Sequence, residues 1–166
     1  MRVIGIDPGT HRLGWGVVDR SGSRLSCVAW GVITAGDGEL ADRLVVIDRE
    51  LAVVIAEHAP EVSAVEGIFF AKDAQSACKL GHARGVALLR LRSAGMAVHE
   101  YAPARVKRTV VGSGRADKLQ VALLVANLLR LPDPPPSDAA DALAIAVTHL
   151  ASAGFEEALA RASRRG

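Results

Sequence analysis

The chain has 166 residues, half of them hydrophobic and 4% aromatic, with a formal charge of +2. That composition excludes a disordered chain and a broad aromatic surface for stacking bases, and a length near ~150 fits a single buried core. The small total hides a division, because residues 1–71 carry a net −4, residues 72–118 a net +7 and residues 119–166 a net −1.

All four lysines, Lys72, Lys79, Lys107 and Lys118, fall in the middle block, which marks it as a candidate polyanion-binding stretch. Cys27 and Cys78 have neither a CxxC pattern nor a histidine at ligand spacing, so they read as free thiols of a reducing compartment, with no zinc site. Asp7 interrupts the first apolar run, and no stretch approaches the ~18 apolar residues of a membrane span. The expectation is a soluble cytoplasmic protein.

In chain order, residues 3–7 form a short β-rich run ended by Pro8-Gly9-Thr10, and residues 14–19 and 26–34 are two further strands joined by the polar segment 20–23. Short links between three strands predict an antiparallel meander. Over residues 40–58 the apolar positions Leu44, Ile47, Leu51, Val54 and Ile55 recur at helical spacing, and Pro60 ends that helix. A buried strand over 62–66 follows, then a helix over 74–92 and a strand over 97–101. Pro103 opens a short helix to about residue 110, Gly112-Ser113-Gly114 is a loop, and residues 117–129 form an apolar helix. The proline-rich segment 131–136 is an extended linker; Ser137 is placed as the N-cap of a helix to about residue 151. This predicts an α/β domain over 1–152 with a mixed five-stranded sheet, an antiparallel meander plus two parallel strands, flanked by helices. Residues 153–166 read as a basic tail, with the Ala/Arg-rich end from Phe155 left open between a frayed helix and a tail.

Asp7 and Glu66 close two predicted strands. A carboxylate in that position can cap a neighbouring turn, but strand ends along one edge of an α/β sheet are also where ligand crevices form. Asp138 and Asp141 open a helix that is apolar on every side beyond them, hence buried. First-turn acids complement the helix dipole, which explains them if that end is exposed. If instead the turn meets Asp7 and Glu66, each pair of carboxylates at 4 to 6 Å repels by roughly 3 to 4 kcal/mol. A cation relieves this. Oxygen-only donors favour Mg²⁺ or Mn²⁺ over zinc, ions that commonly pair in phosphodiester cleavage.

Together, Gly5-Ile6-Asp7-Pro8-Gly9-Thr10, Glu66 with Phe69 and Ala71-Lys72, residues 79–85, residues 106–112 and Asp138-Ala139-Ala140-Asp141-Ala142-Leu143-Ala144 closely resemble the RuvC family of Holliday junction resolvases, over residues 1–150. The blocks occur in family order and spacing. The resemblance implies a ribonuclease H-like fold, a homodimer, and Mg²⁺-dependent symmetric nicking of four-way DNA junctions beside the RuvA and RuvB branch-migration proteins. It maps the family's metal-binding carboxylates onto Asp7, Glu66, Asp138 and Asp141, with two Mg²⁺ per site and Mn²⁺ as the alternative. It assigns DNA contact to Lys107 and Lys118 and a junction-wedging aromatic to Phe69. Gly67 departs from the pattern, since members of the family often carry Gln after the catalytic Glu.

The remaining basic residues of the middle block divide. Arg90 and Arg92 read as a solvated helix face, whereas Lys72, Lys79, Arg84 and Arg115 are placed on DNA. Phe70, Trp15, Trp30 and Tyr101 read as core. His11, after the Asp7 loop, is placed near a phosphate, and the other histidines are structural. The apolar helix after Gln75 is the expected dimer surface. Rival readings are an actin-like ATP-binding protein, which needs two such domains, and a junction-binding protein without catalysis.

Overall fold

The computed structural model describes residues 1–67, 74–114 and 116–163, with the side chains of 74–76 and 156–163 outside the description. Three strands come first, β1 (Arg2–Asp7), β2 (Arg12–Ser21) and β3 (Arg24–Thr34). They are followed by α1 (Leu40–His58), β4 (Val62–Glu66), α2 (Ala74–Ser93), β5 (Ala97–Tyr101), α3 (Pro103–Val111), α4 (Lys118–Leu129) and α5 (Ser137–Ser163). The sheet order is β3-β2-β1-β4-β5, antiparallel through the meander and parallel from β1 to β4 and β4 to β5. This is the predicted mixed sheet.

Alternation along the strands divides the core into two layers. On one face, Ile4, Ile6, Leu13, Val17 and Val65 meet Ile47 and Leu51 of α1 and Ala83, Ala87 and Leu91 of α2. On the other, Val3, Val18, Ala64 and Tyr101 meet Leu143, Ile145, Val147 and Leu150 of α5, with Val106 and Val110 of α3 and Val121, Val125 and Leu129 of α4 beyond. Residues 139–150 of α5 are buried except Asp141, so this helix is sandwiched between the sheet and α3–α4.

α5 lies unusually close to β1 and β2. A Cβ on Gly5 would sit 2.0 Å from the Ala142 carbonyl oxygen, and one on Gly14 would sit 1.9 Å from the Asp138 carbonyl oxygen. Glycine at these positions lets the helix backbone rest directly on the strands.

Three expectations are revised. Ser137 lies inside the first turn of α5 rather than capping it, because the Ala140 N–H already reaches the Pro136 carbonyl at 2.9 Å. The helix does not stop near residue 151 but continues to Ser163, carried by helix-forming alanines. Trp30, read as core, sits on the edge strand β3 and is 39% exposed. Trp15 is half-buried and stacks on His58 with ring centroids 5.4 Å apart, and Tyr101 is buried.

Candidate active site

The period of two along a strand decides which side chains face α5. Gly5 and Val3 face it, so Asp7 does as well; Val62 and Ala64 face it, so Glu66 does as well. Ile6 pairs with Val65 in the parallel register, which leaves Asp7 and Glu66 level at the carboxyl ends of neighbouring strands. α5 arrives over them with its N-terminus, because its first turn is held above Gly14, the partner of Asp7 in β2. Asp138 and Asp141, one turn apart on that helix, are thereby delivered to the same edge.

A cavity of about 250 Å³ forms at this edge, lined by Asp7, Glu66, Asp141, Lys107 and Lys118 among apolar side chains of α3 and α4. α3 is set by Pro103 in its first turn and closed by Gly112 in the left-handed conformation, and its buried Val106 and Val110 place Lys107 at the cavity wall. α4 starts with a reciprocal capping box between Asp117 and Gln120, so Lys118 is fixed at the first helical position. The Lys118 ammonium reaches the Asp141 carboxylate at 3.4 Å.

The electrostatics follow from burial and crowding. Asp7 is pushed up to about 8, first by burial, then by Glu66 and Asp141, with Lys118 acting in the opposite direction. Glu66 is raised by burial and by Asp141, and Asp141 is raised by burial against the pull of Lys118. Lys118 is itself held above its ordinary value, because attraction to Asp141, Asp7 and Asp138 outweighs its partial burial.

Asp138 lies at the margin, where Arg12 Nε donates to its Oδ2 at 2.6 Å. Arg12 was not singled out by the sequence because it falls in the acidic block; its parity with Gly14 in β2 was the available signal. With Arg12 on Asp138 and Lys118 on Asp141, no three acidic, histidine or cysteine side chains among the described residues are drawn together as a finished coordination shell. The donor set nonetheless fits a hard divalent ion. It is made of carboxylate oxygens, and the burial and mutual repulsion that raise Asp7, Glu66 and Asp141 are the costs such an ion offsets.

Other predicted residues are distributed unevenly. Lys79 is exposed on α2. Arg84 is mostly buried: it pairs with Glu100 of β5 and donates to the Glu66 carbonyl at 3.4 Å, bracing the strand that carries Glu66. Phe69, Phe70, Lys72 and Arg115 lie outside the described residues. His11 turns towards α1, where buried Arg43 donates to its Nε2 at 2.7 Å and to the Thr10 carbonyl at 3.4 Å, supporting the loop after Asp7. Arg90 pairs with Asp48 and Arg92 donates to the Met96 carbonyl, both away from the carboxylates. Gly67 is buried, and its N–H donates to the Tyr101 carbonyl at 2.9 Å. The Tyr101 hydroxyl lies 2.8 Å from His149 Nδ1, which joins β5 to α5 behind the site.

Residues 3–149 match the family model described as crossover junction endodeoxyribonuclease RuvC. A crossover junction endodeoxyribonuclease RuvC of Sorangium cellulosum is 62% identical over 161 residues, 96% of this chain and 90% of that protein. The enzyme of that name in Rhodopseudomonas palustris is 50% identical over 150 residues, 90% of this chain and 86% of that one. Among solved structures, Thermus thermophilus RuvC in complex with a Holliday junction substrate superposes with a TM-score of 0.88 at 38% identity, covering 94% of this chain and 96% of that one. The yeast mitochondrial resolvase Ydc2, at 16% identity and a TM-score of 0.54 over 88% of this chain and 77% of that one, shares the fold.

Proposed function

The chain belongs to the RuvC family of crossover junction endodeoxyribonucleases, divalent-metal-dependent enzymes that resolve Holliday junctions in recombination and repair, and we propose that Asp7, Glu66, Asp138 and Asp141 hold its two catalytic Mg²⁺ ions. Mn²⁺ fits the same oxygen donors. The observation that carries the site assignment is the convergence of these carboxylates from β1, β4 and α5 on one edge of the sheet, where burial and repulsion keep three of them from ionising freely.

When bound, the ions activate water for in-line attack on phosphorus and stabilise the departing 3′ oxygen, leaving 5′-phosphate and 3′-hydroxyl ends. The chain's own residues supply the rest. Asp7 and Glu66 sit at the floor of the cavity on rigid strands, and Lys107 and Lys118 bring positive charge to its wall, where a phosphodiester must lie. DNA contact by Lys79, Lys72 and Arg115 and stacking of Phe69 at the junction's exchange point belong to the same proposal, the role of Phe69 resting on the family resemblance. Arg84 acts on this surface from behind, through Glu66 and Glu100.

Symmetric nicking of two strands of like polarity calls for two such sites related by a two-fold axis. The surface that suits a homodimer is the apolar groove between α1 and α2, where Leu44, Val45, Val86 and Leu89 are brought together and Leu89 is 67% exposed. Cooperation with RuvA and RuvB and a cytoplasmic location belong to the same proposal; among the described residues no helix is long and apolar enough to cross a membrane.

The deciding experiment replaces Asp7 by Asn. Mg²⁺-dependent cleavage of a synthetic four-way junction is lost while binding of the junction stays measurable by gel shift. Cleavage at the wild-type rate in Asp7→Asn would refute the site.

A further inference from the structure

We propose that Arg12 is a built-in counter-ion of Asp138 that a divalent ion must displace before Asp138 can serve as a ligand, so that Arg12 sets how readily the site takes up its ions. This rests on the reading of Asp138 as a metal ligand.

The geometry points this way on three counts. Arg12 Nε donates to Asp138 Oδ2 at 2.6 Å, the short distance of a charge-assisted hydrogen bond, and so claims one lone-pair direction of that oxygen. A Mg²⁺ ion bound to the same carboxylate sits at about 2.0 to 2.1 Å from its oxygen, close enough to the guanidinium for strong repulsion, so the two positive groups exclude one another. Both partners also have reason to stay apart once the pair opens. The Arg12 side chain is 54% exposed and keeps its hydration when released, whereas Asp138 is 28% exposed and fixed by a buried helix.

The pair is not needed to hold α5 in place. Residues 139–150 of that helix are buried except Asp141, and its first turn already rests on Gly14. Arg12 is held at the rim by its backbone instead. The turn after Asp7 folds so tightly on it that a Cβ on Gly9 would lie 2.3 Å from the Arg12 carbonyl oxygen. Its position mirrors that of Lys118, which pairs with the other carboxylate of α5 from the opposite side. Each helix carboxylate therefore has its own cation, and only the Lys118 pair lies on the basic block.

Mn²⁺ binding to the purified protein without DNA, measured by isothermal titration calorimetry and by the electron paramagnetic resonance of free Mn²⁺, tests this. Arg12→Gln is expected to tighten Mn²⁺ binding by about two- to fivefold, the range of an exposed ion pair, and to lower the melting temperature in EDTA by no more than a few degrees through loss of the same pair. Arg12→Lys restores much of the wild-type affinity. In an Asp138→Asn background the effect of Arg12→Gln disappears, because the oxygen they compete for is gone. Unchanged or weaker Mn²⁺ binding in Arg12→Gln overturns the inference, and so does a tightening that persists with Asn at 138, which would be a general field effect. If Asp138→Asn by itself leaves Mn²⁺ affinity untouched, the ligand reading of Asp138 fails first and takes the role of Arg12 with it.

Discussion

Single side chains at this site work against the stability of the chain that carries them. Asp7 keeps a proton in the folded chain up to about pH 8, whereas the unfolded chain releases it near 4. The folded state therefore binds the extra proton between those values, and stability falls as pH climbs through that window. Asp7→Asn removes the buried charge. In EDTA it should be more stable than the wild type at pH 8, by on the order of a few kcal/mol and with a correspondingly higher melting temperature, and show almost no advantage at pH 4. A melting series across that range checks it; an equal difference at both ends would place the effect elsewhere. His149 has the opposite sign. Burial, then the neighbouring His99 and Arg20, lower it to about 4 from 6.5, so the unfolded chain binds the extra proton and stability is lost as pH falls from about 6.5 to about 4. His149→Gln can still pair with the Tyr101 hydroxyl but does not titrate, and the expected outcome is a flatter melting profile over that window.

At the level of elements, the site exists because α5 can lie against bare backbone. Gly5→Ala places a methyl group 2.0 Å from the Ala142 carbonyl oxygen, and neither a buried helix nor a central strand can yield cheaply. A loss of about 3 kcal/mol in urea unfolding is expected, with junction cleavage falling further than stability because Asp138 and Asp141 move with the helix. Strand parity made much of this legible beforehand: Asp7 and Glu66 close runs whose alternation fixes their face, and the all-apolar continuation after Asp141 marks a buried helix. What the sequence could not display was the depth of α5. Gly5 and Gly14 look like ordinary strand glycines until the helix above them is seen, and the helix's run past residue 151 was hidden by a charge pattern that resembles a tail. The pairing of Arg84 was hidden for a related reason. Arg84 belongs to the basic block by count, but it is paired with Glu100 of β5 in the same block, through the packing of α2 against that strand.

For the whole molecule, the two faces of the sheet divide the labour. The α5 face carries the carboxylates and, through α3 and α4, Lys107 and Lys118 of the +7 stretch, while the α1–α2 face carries the exposed Val45, Val53 and Leu89. A duplex drawn to the first face by phosphate contacts leaves the second free for another copy. Obligate pairing favours an apolar patch with few charges at its centre, and the groove between α1 and α2 has that character, its charged members Asp48 and Arg90 already neutralising each other. Leu89→Asp puts an unpaired charge in the middle of that surface without touching the core, since the side chain is 67% exposed. Sedimentation equilibrium at micromolar concentration should then report a monomer with an unaltered melting temperature. Junction digests should shift from two nicks on one molecule, which release linear duplexes, to single nicks that leave the junction intact. A variant that remains dimeric and still resolves junctions into duplexes would move the two-fold axis to another face of the protein.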